Sequence, residues 1–159
     1  MNDIHFIFDH RQSGKTKKII EAAIQFTMVK DNMAIIIVSD LYAAKNIKLR
    51  LKDYHQEKNT HILVFWSIQK LWTDMKYLGL MPYNNKIRYY LDEPEMLDIT
   101  WQEFSEIATS WPGSIYLVGT LQQPIVIPRS NSKAYSFIEC AIISMFQTLP
   151  KTDKIYNYI

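Results

Sequence analysis

Close to its first residue the chain runs Phe6-Ile7-Phe8-Asp9-His10-Arg11-Gln12-Ser13-Gly14-Lys15-Thr16 and continues Lys17-Lys18-Ile19-Ile20-Glu21-Ala22-Ala23. An apolar β-prone run, a short polar loop, Gly-Lys-Thr and a helix-forming stretch follow one another directly. A loop wrapped onto a helix N-terminus aims backbone N–H groups and the positive end of the helix dipole at one point, which makes it a site for an anion. The order also restricts the fold. A strand that turns at once into a helix starts a βαβ unit, whose next strand lies parallel to the first.

Phosphate-binding loops follow the pattern G-x-x-x-x-G-K-[ST], in which the last glycine lets the backbone approach the ligand. Their lysine reaches the β- and γ-phosphates and the following hydroxyl holds magnesium. Here Gly14, Lys15 and Thr16 take those places, with Gln12 and Ser13 in the nucleotide-binding loop ahead of them. The pattern's first glycine is replaced by Asp9, whose carboxylate would repel a triphosphate. A solvated turn is the plain alternative. Against it stand the placement between strand and helix and a second half-site downstream.

That second half is Ile87-Arg88-Tyr89-Tyr90-Leu91-Asp92-Glu93, a strand ending in two acids. Asp92 would hold the magnesium shell, and Glu93 would orient and polarise a water for attack on the γ-phosphate. Acids followed by Pro94 also suit an ordinary helix start. Both half-sites fall at the C-terminal ends of predicted strands, where open α/β sheets bind their ligands. A third strand, Ser114 to Val118, ends in Gly119-Thr120-Leu121-Gln122, so Thr120 or Gln122 could sense the γ-phosphate, an uninvolved turn being the alternative.

Short apolar runs recur at Ile4–Phe8, Ala34–Val38, His61–Trp66, Ile87–Leu91 and Ser114–Val118. They are nearly continuous and not strictly alternating, the pattern of parallel strands covered on both faces. Helix-like segments lie between them at Lys15–Val29, Leu41–Tyr54, Ser67–Leu78 and Glu95–Thr109, with another at Lys133–Thr148. Asp40 and Ser67 are expected N-caps, and Trp111-Pro112-Gly113 should stop a helix before the last core strand. Pro124 and Pro128 bracket Ile125–Ile127, an edge strand or a loop. The predicted fold is a three-layer α/β/α sandwich on a mainly parallel sheet. With 159 residues, no internal repeat and no Gly/Ser-rich linker, residues 1–159 are expected to form a single domain.

Composition narrows the function classes. At 48% apolar and 21% charged residues the chain is neither disordered nor fibrous. The lone Cys140, inside an apolar run, rules out an intrachain disulfide framework, and His5, His10, His55 and His61 lack metal-helix spacing. No apolar run reaches the roughly 20 residues of a membrane span, and the start lacks a secretory signal, so a cytoplasmic location is expected. A net charge of +2 leaves nucleic acid open as a partner. Lys45, Lys48, Arg50 and Lys52, with Lys15, Lys17 and Lys18, form either a solvated helix face or a nucleic-acid surface. Trp66 could stack on a base or pack in the core. Tyr83, Tyr89 and Tyr90, near Lys86 and Arg88, suit single-stranded nucleic acid by composition, while Tyr89 and Tyr90 suit burial by position.

Arg11-Gln12-Ser13-Gly14-Lys15-Thr16 resembles the R-Q-x-G-K-T motif of viral large terminases, the DNA-packaging motors related to helicases. The similarity extends through Val38-Ser39-Asp40, through Asp92-Glu93 as the Walker B acids and through Gly119-Thr120 as the coupling motif. The resemblance implies a RecA-like P-loop ATPase of the glutamate-bearing class that uses ATP and Mg²⁺, with Arg11 acting near the γ-phosphate. From charge alone, Arg11 could equally compensate Asp9. Expected partners are DNA, further copies of the chain, or a partner protein such as a separate nuclease or a portal, with host cytoplasm as the location if the chain is viral. A small-molecule kinase fits less well, because the Asp92-Glu93 pair suits water activation. The alternative from another class is a non-hydrolysing, nucleotide-gated adaptor, which Asp9 favours and Lys15, Thr16, Asp92 and Glu93 oppose.

Overall fold

A computed structural model describes residues 4–9, 14–67, 86–93, 100–108, 113–120, 125–126 and 154–155. Five strands, β1 (Ile4–Asp9), β2 (Asn32–Ile37), β3 (Ile62–Phe65), β4 (Lys86–Asp92) and β5 (Ser114–Thr120), form one sheet in the order β1-β5-β4-β2-β3. Every pairing in it is parallel. The helices are α1 (Lys15–Thr27), α2 (Leu41–Asp53) and α3 (Trp101–Ala108). The expected strands and the first two helices are therefore present, with ends shifted by one or two residues. The expected helix at 95–109 is described as α3 from Trp101, while those at 67–78 and 133–148, along with Cys140, fall outside the described residues. The Pro-bracketed piece forms β6 (Ile125–Val126), which pairs antiparallel with β7 (Lys154–Ile155) in a separate two-stranded ladder.

The chain steps across the sheet from β1 to β2 to β3, then returns through β4 to β5. Helices α1 and α2 pack on one face, and the right-handed rule for parallel crossovers puts α3, which joins β4 to β5 in the reverse direction, on the other. Residues on α1 and α2 repeat at helical spacing toward the sheet: Ile19, Ile20 and Ala23 on α1, and Ala44, Ile47 and Leu51 on α2, are all buried. They pack on Ala34, Ile36, Val38, Ile62, Tyr90 and Val118. The opposite face, with Ile35, Ile37, Tyr89, Leu91 and Leu117, is equally buried, as is Phe104 of α3. All six residues of β2 are buried, which explains its unbroken apolar sequence.

Local chemistry sets the element ends. Asp40 caps α2 by accepting the Ala43 N–H at 2.7 Å. At the other end of the sheet, buried Asn32 donates to the Phe26 carbonyl at 3.0 Å and ties the end of α1 to β2. Arg88 is accommodated between the sheet and α1 by lying 4.2 Å over the Phe26 ring and 5.6 Å from the Tyr116 ring. Tyr90 stacks on Tyr116 from the next strand. In the interleaved stretch of β4, Arg88, Tyr89 and Tyr90 thus belong to packing, while Lys86 is exposed. Trp66 is half-buried and packs against the apolar cluster.

Gly113 enters β5 at φ +100°, and a Cβ there would stand 2.0 Å from the Ile87 carbonyl oxygen. Gly14 has φ +78°, but a Cβ would meet nothing closer than Lys17 Cβ at 4.0 Å. Gly113→Ala should therefore destabilise the fold by at least about 2 kcal/mol, since strain and a backbone clash add. Gly14→Ala should cost about 1 kcal/mol from strain alone. Thermal melts of the two variants check this order.

Candidate functional site

Strand alternation decides which side chains can meet. On β4, Arg88, Tyr90 and Asp92 share the face that carries α1, and Asp92 is the last residue of the strand. The chain leaves β1 at the same edge and enters α1 at Gly14–Lys15. The first turn of α1 thus stands over the end of β4, with β5 as the strand between β1 and β4. Thr16 Oγ1 donates to Asp92 Oδ2 at 3.1 Å, a contact across 76 positions of sequence.

Lys15 is buried and its Nζ lies 3.5 Å from Glu93 Oε1. Glu93 has φ +50°, a left-handed conformation that a non-glycine residue adopts at a cost in energy and that clusters at functional sites. Its backbone N–H donates to the Val118 carbonyl at 2.8 Å, which pins the bend to β5. Gly14, the N-cap of α1, is left-handed and has no capping side chain, and no acid occupies the helix's first turn. Among the described residues no acidic side chain caps the positive end of α1, which faces the site.

Gly14, Lys15, Thr16, Arg50, Asp92 and Glu93 line one cleft of about 350 Å³. Burial pushes the Asp92 carboxyl above its ordinary value of 3.8, and the neighbouring Glu93 charge pushes the same way. The Thr16 hydrogen bond and the positive charges of Lys15 and Arg50 pull it back down. A hydroxyl and a carboxylate side by side are hard oxygen donors, the set that suits Mg²⁺. The cleft thus combines a cradle for an anion, a buried cation, a metal-compatible oxygen pair and a second carboxylate.

Of the sequence-derived residues, the structure brings Gly14, Lys15, Thr16, Asp92 and Glu93 together. The Thr120 backbone pairs with Asp9 at the end of the β1–β5 ladder, at the same sheet edge. The side chains of Asp9 and Thr120, and residues Arg11, Gln12, Ser13 and Gln122, lie outside what the structure describes. Arg50 is the residue sequence reasoning missed, since it was grouped with Lys45, Lys48 and Lys52 as one row of surface charge. A helical stripe drawn through Ala43, Ile47, Arg50 and Tyr54 is the signal that separates it, because Ile47 is buried and Ala43 and Tyr54 are partly so.

No protein-family model and no curated protein sequence matches the chain. Among solved structures, one described as an ATPase domain is similar with a TM-score of 0.58 and 11% identity, over 77% of this chain and 58% of that one. A DnaB-like replicative helicase, in a structure concerned with its interactions with primase, is similar with a TM-score of 0.52 and 14% identity, over 77% of this chain and 39% of that one. The chain thus spans 58% and 39% of these two structures. At such identities the likeness is one of fold: a parallel α/β sheet with flanking helices, of the RecA-like kind.

Proposed function

We propose that the chain is a P-loop ATPase that binds ATP with Mg²⁺ in this cleft and hydrolyses it to act on nucleic acid. The observation that carries the reading is the 3.1 Å contact between Thr16 and Asp92, which joins the two half-sites recognised separately in the sequence. Gly14 and the first N–H groups of α1 would cradle the phosphates, and Lys15 would neutralise the β- and γ-phosphoryl oxygens. Thr16 and Asp92 would hold Mg²⁺, which supplies charge neutralisation at the phosphates. Glu93 would orient and polarise the attacking water. An arriving phosphate competes with Glu93 for Lys15, so ligand binding itself would release the carboxylate for that task.

Two observations support nucleic acid as the target. One is the resemblance of residues 11–16 to the packaging motors, and the other is the shared fold of a protein named as a replicative helicase. On this reading residues 1–159 act as one ATPase domain, with Arg11 beside the γ-phosphate and Thr120 or Gln122 as its sensor. Further copies of the chain, or a nuclease or portal partner, would complete the machine.

The test is phosphate release from MgATP, with and without single- and double-stranded DNA. Lys15→Ala should lower turnover by roughly a hundredfold or more through loss of charge stabilisation. Glu93→Gln should do the same through loss of the base while retaining ATP binding. Stimulation by DNA is expected in the wild type. Tight ATP binding without turnover would instead assign the nucleotide-gated adaptor, and absence of nucleotide binding would overturn the P-loop reading.

Asp92 has its own signature. Because its carboxyl titrates above the ordinary 3.8, the folded state holds that proton more tightly than the unfolded state. The associated stability is present below 3.8 and is lost as pH rises through the raised value. Asp92→Asn should therefore raise the melting temperature in metal-free buffer at neutral pH, and the gain should fade toward acid pH. The same variant should lose any stabilisation that Mg²⁺ with nucleotide gives the wild type. Paired melts at neutral and acid pH, with and without MgADP, measure both effects.

A further inference from the structure

Arg50 lies in the last turn of α2 and is exposed, yet it lines the cleft together with Lys15, Thr16, Asp92 and Glu93. Its position follows from how the helices pair. Tyr54, one turn further along, donates its hydroxyl to Glu21 Oε1 of α1 at 3.0 Å. Helices α1 and α2 each follow a parallel strand and cover the same face, so they run in the same direction. One turn back from the Tyr54–Glu21 contact on both helices brings Arg50 beside the start of α1. Side chains on a helix lean toward its N-terminus, which here means toward the phosphate-binding edge of the sheet.

Charge gives that position a consequence. Without Arg50, the described side chains lining the cleft are one cation, Lys15, against two acids, Asp92 and Glu93, a net repulsion for a polyphosphate. With Arg50 they balance. Asp92 feels the guanidinium, which lowers its proton affinity. Among the described residues Arg50 forms no ion pair within 4 Å, the reach that counts Lys15–Glu93 and Lys17–Glu21 as pairs. A guanidinium left in that state at the mouth of a phosphate cleft has its planar donor fork available for a phosphoryl group.

We propose that Arg50 is a ligand of the nucleotide's terminal phosphoryl group, supplied in cis from α2, and that it makes the site favour a nucleoside triphosphate over a diphosphate. The inference rests on the ATP-binding reading above and assigns it a specificity-determining residue. The γ-phosphoryl is the group addressed because Arg50 shares the cleft with Asp92 and Glu93, the acids that would serve the metal and the attacking water. A diphosphate, held on Gly14 and the first turn of α1, lacks the phosphoryl group that this water would attack and that Arg50 would hold.

The experiment is calorimetric titration of the full chain with a non-hydrolysable ATP analogue and, separately, with ADP, both with Mg²⁺. Wild type, Arg50→Ala, Arg50→Lys and Lys52→Ala are compared. Lys52 is exposed in the same turn and does not line this cleft, so it controls for net charge. Arg50→Ala should weaken the triphosphate analogue by roughly tenfold or more while ADP stays within about twofold. Arg50→Lys should recover only part of the loss, since an ammonium lacks the fork. Lys52→Ala should change neither affinity. Equal weakening of both nucleotides by Arg50→Ala, or no weakening, would overturn the role of Arg50 and leave the ATP reading standing. A wild type that binds neither nucleotide would remove that reading and this inference with it. An unchanged melting temperature for Arg50→Ala, expected from its exposure, keeps a folding defect from imitating the result.

Discussion

The hydroxyl of Thr16 reaches the carboxylate of Asp92 because three separate constraints coincide. All five strands of the main sheet are parallel, so the loops after β1 and β4 open at one edge. Only β5 separates those strands, so the first turn of α1 can lean over the end of β4. Period-two alternation then turns Asp92, with Arg88 and Tyr90, toward α1 and not away from it. A slip of β4 by one residue would point Asp92 at the opposite face and bury Leu91 in its stead beside Thr16. The apolar residues that fix this register, Tyr90 among them, therefore also fix the position of Asp92. Core packing and site geometry are one constraint at this point.

The same contact is electrostatically tense. Asp92 is held in a partly dry place, where its charge is disfavoured, next to a second acid on the following residue. Thr16, Lys15 and Arg50 offset this, each from a different element: the hydroxyl and the ammonium from α1, the guanidinium from α2. Such an arrangement spends stability on a charge pattern that a cation and a polyphosphate together would neutralise. Glu93 adds backbone strain at φ +50° next to it. A domain built only to be stable would have an apolar or neutral residue at position 92.

Much of the framework was legible in the sequence, because the features that build it are local. Unbroken apolar runs announced strands buried on both faces, and β2, with all six residues buried, is the plainest instance. Asp40 announced the start of α2, and Gly-Lys-Thr after a strand announced the start of α1, where those three residues line the cleft. The sheet order was not legible. No local pattern says that β5 inserts between β1 and β4, yet that insertion sets the spacing of the two half-sites. Arg50 was hidden for a related reason, since its role depends on how far α2 is displaced along α1, and a row of basic residues on one helix carries no such information. For β4, where composition suited nucleic acid and position suited burial, packing holds: Arg88 rests on Phe26, a partner from another element that no local pattern names.

The pairing of Lys15 with Glu93 bears on how such a site could stay quiet before its ligand arrives. At 3.5 Å the ammonium holds the carboxylate, which in that pairing is a poor hydrogen-bond acceptor for a water. A phosphate group carries more negative charge than a single carboxylate and is presented by the α1 N-terminus along the line Lys15 already faces, so it should win the lysine. The backbone of Glu93 stays in place, because it is bonded to Val118 and bent out of the strand. On the proposed reading, the carboxylate released from the ammonium would be open to accept a hydrogen bond from the attacking water when a phosphoryl group is present. On that reading the Lys15–Glu93 ion pair would be the resting half of an exchange, with the backbone of Glu93 held throughout by its bond to Val118.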